Sequence, residues 1–454
     1  MVSPQYQSLI EKDFSYIWHP FTQMQDYMLT DPLIVERGEG VMLYDVDGRA
    51  YYDSVASIWT NTLGHHHPAL TDAIIRQAQK VAHSTLLGHA NVPSILLAER
   101  LIQISPEGLR KVFYCDSGAE AVEIALKMAF QYWQHKGRPK KKAFVKFVEA
   151  YHGDTIGAVS VGAVDMFHAV YRDLLFPTLE VMYPYCYRCP LNKELSTCQH
   201  ACLEPLRDLL AQRSDDIAAL IVEPIQGSSG IITMPQGYLT QLRELCTEYD
   251  VLMIVDEVAT GFGRTGQMFA CDHEGVSPDL MTIGKGLTGG YLPVAATLTS
   301  DEVYEAFLAP YEDRKTFFHG HTFTGNQLGC AVAIENLNQF ESLDIIEHVR
   351  EMAEVARVVL ARFNDLEHVG EIRQKGLFIG IELVKDKQTK EAYDWNDRIG
   401  VKVGERAREL GMINRTLGPI ALFIPPLIVN QQEILAMLDI LYESIKWATN
   451  GETV

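Results

Sequence analysis

Two residues stand where they could do chemistry together. Asp256 ends the apolar run Leu252-Met253-Ile254-Val255, and Lys285 stands between Gly284 and Gly286 after the run Leu280-Met281-Thr282-Ile283. Between them lies a glycine-rich turn, Thr260-Gly261-Phe262-Gly263-Arg264-Thr265-Gly266. A lysine flanked by glycines has room to condense with an aldehyde as an imine. An acid on a neighbouring strand end can keep a pyridine nitrogen protonated. Together these are what pyridoxal 5'-phosphate requires of a protein: a covalent anchor and a partner that keeps the ring an electron sink. Each residue alone has a plainer reading, the acid as a helix cap and the lysine as a surface charge.

The elements that must position this pair follow from pattern. Short apolar runs bounded by turn signals and rich in β-formers read as buried strands. In open α/β sheets the carboxyl ends of strands carry the chemistry. From about residue 69 to 340 such runs alternate with helical patterns, which predicts a mostly parallel sheet wrapped by helices. Val112 to Asp116 is one strand. Ser117-Gly118-Ala119-Glu120 then turns into a helix whose Val122, Ala125, Leu126, Ala129 and Trp133 keep helical spacing. Its N-terminus offers unpaired N–H groups to an anion such as a phosphate. Phe144 to Phe147 is the next strand, followed by Tyr151-His152-Gly153-Asp154-Thr155, where an aromatic at the strand end can lie flat on a pyridine ring. Ala218 to Val222 ends on Glu223-Pro224, followed by Gln226-Gly227, and a helix over 237–250 leads into the Asp256 strand.

In order and spacing, the Asp-Glu strand end, the T-G-x-G-R-T-G turn and the G-K-G lysine resemble the signature of the class III (subgroup II) aminotransferases, and the likeness extends over nearly the whole chain. That resemblance implies an α/β protein of fold type I, a pyridoxal-phosphate-dependent transferase with Lys285 as the catalytic residue. It implies cofactor contacts from Ser117, Gly118, Ala119, Tyr151 and Asp256. It also implies that Phe318-His319-Gly320-His321-Thr322-Phe323 brings His321 and Thr322 to the phosphate of a partner subunit's cofactor, so the expected assembly is a homodimer with shared sites. Two parts of a small domain, 1–64 and 341–454, are expected to flank a large cofactor-binding domain, 65–340.

Within the class, the stretches Trp18-His19-Pro20-Phe21-Thr22, Met128 to Trp133 and Tyr151 to Thr155 resemble the members that aminate 8-amino-7-oxononanoate in biotin synthesis. Arg415, before Leu417-Gly418, matches the arginine that holds the substrate carboxylate, and a guanidinium suits that task by its bidentate geometry. Phe21, Ile58, Trp59, Tyr151, Gly320 and Arg415 are the expected substrate contacts, with Trp59 and Tyr151 as aromatic walls. Members that use S-adenosylmethionine carry a tyrosine where Phe21 stands and a tryptophan where Ile58 stands. These departures put L-lysine slightly ahead as amino donor. Ornithine, 4-aminobutyrate and β-alanine:pyruvate aminotransferases share the core motifs and are the alternative.

The rest of the chain bounds the answer. A net charge of −20 across 454 residues excludes a general basic field for nucleic acid or anionic membrane. Met1 to Asp13 lacks an apolar stretch, and eight cysteines without a leader point to reduced thiols in a cytoplasm. Cys186, Cys189, Cys198 and Cys202 have a C-x2-C-x8-C-x3-C spacing open to a structural zinc, free thiols or a disulfide; the expected metal in the catalytic site is none. Adjacent His65, His66 and His67 diverge and cannot share one ion. Val41 to Asp53 reads as two strands joined at Asp47-Gly48. Trp18 to Phe21 reads as an extended or turn segment packed in the core, and Lys136 to Lys142 as a solvated loop. Gly376 to Glu382 and a run closed by Pro425-Pro426 read as later strands.

Overall fold

A computed structural model describes residues 2–450. Its centre is a seven-stranded sheet, labelled in chain order β1 (Leu109–Cys115), β2 (Ala143–Phe147), β3 (Leu179–Val181), β4 (Ile217–Val222), β5 (Leu252–Asp256), β6 (Leu280–Ile283) and β7 (Ala295–Ser300). The spatial order is β1-β7-β6-β5-β4-β2-β3. The pairs β5/β6, β5/β4, β2/β3 and β2/β4 are parallel, whereas β7 runs antiparallel to both its neighbours. Every residue of β4, β5 and β6 is buried, as expected of parallel strands covered on both faces. Two apolar layers do the covering. One packs helix α1 (Gly118–His135) against the sheet, and the other joins the opposite face to the C-terminal helices.

The N-terminal strands Met42–Asp45 and Ala50–Asp53 form the expected hairpin. Gly48 takes the left-handed position at its turn (φ 81°), and the Asp45 carboxylate accepts the N–H groups of Asp47 and Arg49. Met412–Ile413 then pairs in parallel with Tyr52–Asp53, so two ends of the sequence complete one sheet. A further antiparallel sheet holds Val369–Lys375, Phe378–Asp386 and Ile420–Phe423. Gly376 is the turn of that hairpin, not strand, because its φ is +62° and a Cβ would meet the Thr265 backbone at 2.4 Å. Among the described residues no helix is long and apolar enough to cross a membrane.

Two further expectations are corrected. Trp18 and Phe21 are exposed rather than in the core, because the Pro20 turn carries them over the surface. Lys141, in the supposed solvated loop, is fully buried. Its ammonium donates to the carbonyls of Ile217 (3.3 Å) and Asp250 and lies 4.3 Å from the Trp133 ring centroid. Burial pushes this amine down to about 8.

Candidate active site

Register brings the acid and the lysine together. Asp256 at the end of β5 pairs in parallel with Thr282 of β6, and Lys285 follows three residues later. Thr282 Oγ1 donates to Asp256 Oδ1 at 2.9 Å, the Val258 N–H donates to the same oxygen at 3.1 Å, and His152 Nδ1 lies 2.7 Å from Oδ2. The carboxylate is therefore buried and fixed in orientation. Lys285 has φ +41°, a left-handed conformation that costs a side-chain-bearing residue energy. Its Nζ stands 4.7 Å from the Trp59 ring centroid. Burial pushes this amine below its usual value and the positive charge of Arg415 adds to that, while Asp256 and Glu223 oppose it.

Trp59 reaches Lys285 through an unusual turn. Ala56, Ser57, Ile58 and Trp59 all have positive φ (45°, 47°, 72° and 66°), one turn of left-handed helix. Each such residue costs roughly 1–2 kcal/mol in an L-chain. The buried Asp53 carboxylate holds the turn in place. It accepts from the N–H groups of Val55 (3.3 Å) and Ser57 (3.1 Å) and from Ser57 Oγ (2.8 Å), and it pairs with His65 Nε2 at 2.9 Å. Phe378 packs edge-on against the indole at 5.3 Å.

On the other side, Glu223 directly follows β4 and ties two segments. Its Oε1 accepts from the Tyr151 N–H (3.0 Å) and its Oε2 from the Gly227 N–H (3.1 Å). Burial chiefly, with help from Asp256, raises this carboxyl to about 7. The Tyr151 hydroxyl donates to Asp154 at 2.7 Å, and its ring lies parallel to His168. Phe167 stands between Tyr151 (6.2 Å) and Phe21 (5.3 Å), which ties the N-terminal segment to the site. Arg415 is half-buried, has no carboxylate partner among the described residues and faces Tyr151 and Lys285 closely enough for its charge to be felt at both.

At the start of α1, Ser117 and Glu120 form a reciprocal capping box. The N–H groups of Gly118 and Ala119, in the first turn, have no intrahelical acceptor and are open to an anion. Gly153 packs against Ala119 so closely that a Cβ there would meet it at 2.4 Å, which holds the Tyr151 segment on this helix end. His321 lies 3.8 Å from Glu120 of the same chain, Thr322 and Gly320 are exposed beside it, and Ile58 is exposed on the left-handed turn.

Among the described residues the buried polar atoms Trp59 Nε1, Gln226 Oε1 and His152 Nε2 have no partner. With the amine, the fixed carboxylate and the open helix end, they fit an aromatic, phosphate-bearing aldehyde. The four clustered cysteines are free thiols lining one small pocket. Among the described residues no group of three or more His, Cys, Asp or Glu side chains is placed to hold a metal ion.

The clamp on Asp256 escaped the sequence reading. Thr282 could have been found from the parallel register, and His152 from its place beside Tyr151, where neighbouring side chains point apart. Asp53 carries no local signal, since what it holds is set by backbone conformation.

Comparison with known proteins places this geometry. Residues 24–445 match the aminotransferase class-III family. The adenosylmethionine-8-amino-7-oxononanoate aminotransferase of Anoxybacillus flavithermus is 51% identical over 437 residues, 96% of this chain and 96% of its own. That of Geobacter sulfurreducens is 48% identical over 447 residues, 98% of this chain and 99% of its own. The crystal structure of the adenosylmethionine-8-amino-7-oxononanoate aminotransferase from Methanocaldococcus jannaschii matches with a TM-score of 0.93 at 45% identity, covering 97% of this chain and 99% of that one. The omega transaminase from Pseudomonas jessenii in complex with PMP matches with a TM-score of 0.93 at 36% identity, covering 97% and 98%. The chain belongs to the class III aminotransferases, pyridoxal-phosphate-dependent transaminases of fold type I.

Proposed function

We propose that the chain transaminates 8-amino-7-oxononanoate to 7,8-diaminononanoate, a step of biotin synthesis, in the cytoplasm, with L-lysine or S-adenosylmethionine as amino donor. The observation that carries the acceptor is Arg415, an unpaired, half-buried guanidinium beside Tyr151 and Lys285, in a chain about half identical to aminotransferases named for that acceptor. The names of those relatives favour S-adenosylmethionine, and Phe21 and Ile58 favour lysine. When bound, pyridoxal phosphate supplies an aldehyde that carries the amino group and a ring that accepts the electron pair left when the donor carbon loses its proton.

The protein's own residues do the rest. Gly118, Ala119 and Ser117 would hold the phosphate at the start of α1. Asp256, held by His152, Thr282 and Val258, would keep a proton on the ring nitrogen. Lys285 would take the proton from the donor carbon and, in the second half of the cycle, give a proton to the acceptor carbon that gains the amino group, and its lowered basicity brings it nearer working pH. Arg415 binds the substrate carboxylate. Trp59 and Tyr151 wall the apolar chain and keep water away.

Lys285→Ala removes both anchor and base, so turnover falls by more than about 10³-fold, and borohydride no longer fixes the cofactor to the protein. Retained turnover would sink the assignment. Single-turnover absorbance of the cofactor-loaded protein with lysine and with S-adenosylmethionine, separately, names the donor. A response to ornithine or 4-aminobutyrate alone replaces the acceptor reading.

The functional unit in this reading is a homodimer in which His321 and Thr322 help complete a site. Exposed Leu87, Phe318 and Phe323 near that segment support it, since apolar side chains of this size at one face call for cover.

A further inference from the structure

A hollow of about 810 Å³ opens beside the C-terminal half of α1, apart from the residues around Lys285. Its walls are apolar: Leu126 and Phe130 of α1, Phe144 of β2, and Phe176, Pro177 and Leu179 on the way into β3. Phe130 and Phe176 keep 42% and 37% of their surface exposed, so these aromatic faces are uncovered. Three cations, Lys127, Lys142 and Arg213, line the hollow against one carboxylate, Glu123. That carboxylate is already engaged, with Oε1 accepting from the N–H groups of Gly157 (2.6 Å) and Ala158 (3.3 Å). Arg213 has only Asp216, at 3.7 Å, and Lys142 has no carboxylate partner among the described residues. A cationic hollow is an exception in a chain of net charge −20.

We propose that this hollow binds an amphiphilic organic carboxylate. The aliphatic body lies on the phenylalanines, and Lys142 and Arg213 hold the head group by charge-assisted hydrogen bonds. The volume falls in the roughly 300–1,000 Å³ range of small-molecule sites, and an apolar lining with a few placed charges is their usual chemistry.

The hollow also touches the transamination site through hydrogen bonds made by three of its lining residues. Lys127 Nζ is 2.9 Å from His319 Nδ1, and Gln131 Nε2 donates to the Thr316 carbonyl at 3.1 Å, so two lining residues hold the segment that carries His321 and Thr322. Glu123 holds the first turn of α2 (Ile156–Val161), which follows Tyr151 and His152.

Calorimetric titration of sodium decanoate into the cofactor-loaded full chain tests the site. Saturable binding is expected, weakened about tenfold or more by the double variant Lys142→Glu, Arg213→Glu. Both side chains are exposed, so the fold survives their reversal. Arg415→Ala should leave decanoate binding unchanged, and hydrogen exchange over 126–131 and 176–179 should slow on addition of decanoate. Absence of saturable binding overturns the proposal. So does binding that needs Arg415 and ignores Lys142 and Arg213, which puts decanoate in the transamination site. Exchange over 126–131 that slows with protein concentration alone also overturns it, because a second copy then covers the hollow.

Discussion

Glu223 gives the site a pH signature that can be read from stability. Its carboxyl is raised from 4.5 to about 7, chiefly by burial. Between those values the folded chain keeps a proton that the unfolded chain has released. Stability therefore falls as pH rises through that window and is level above it. The whole window amounts to about 3 kcal/mol. Glu223→Gln loses one acceptor, a constant cost of about 1–3 kcal/mol, but it also loses the slope. Urea unfolding of the cofactor-free protein at several pH values between 4.5 and 7 checks this, and a slope kept by the variant assigns it to another group. Asp256 and Lys285 could be singled out from sequence because each stands where an apolar run gives way to a turn. Glu223 showed the same signal, an acid after a buried strand, but nothing in the sequence named its partners. Its two backbone contacts join residues far apart in sequence, and no local pattern records them.

At the scale of elements, the strands of the large sheet were legible because each is a short apolar run between breakers, and β4, β5 and β6 are buried on both faces. The helix start at Ser117 was legible from its cap. The left-handed turn at Ala56–Trp59 was not, since none of its four residues is the glycine or asparagine that announces such a conformation. What permits it is Asp53, a carboxylate four residues before Ser57 with its oxygens on the turn. Burial works against the charged form of Asp53, but the bonds from His65 and Ser57 outweigh it and leave its pKa lowered. The stability it adds is thus complete above the usual carboxylate range and fades as pH drops below it. Asp53→Ala should cost about 3 kcal/mol, seen as a lower melting temperature at pH 7 and a smaller loss as the pH is taken below the usual carboxylate range. Ser57→Gly should act in the opposite sense on the backbone term, relieving roughly 1 kcal/mol of left-handed strain, partly offset by the lost hydroxyl bond to Asp53. A melting point that drops as far as in Asp53→Ala would mean that hydroxyl is what holds the turn.

At the scale of the molecule, the proposed dimer makes a separate forecast. Phe318 is 80% exposed, so Phe318→Asp leaves the single chain's packing intact. If a second copy covers it, the variant sediments as a smaller species and its turnover declines in parallel. An unchanged sedimentation coefficient with full turnover would separate this segment from assembly. The pairing of Met412–Ile413 with Tyr52–Asp53 has a consequence in time. During synthesis at about 5–20 residues per second, the first strands wait roughly 20–70 s for the strand that completes their sheet. Strands β1 to β7 all emerge within that interval, so the nascent chain can assemble the floor of the site while the lobe bearing Asp53 and Trp59 lacks its last strand. A ribosome stalled before residue 412 would carry a chain with Lys285 in place on the large sheet and the sheet that leads to Trp59 still one strand short.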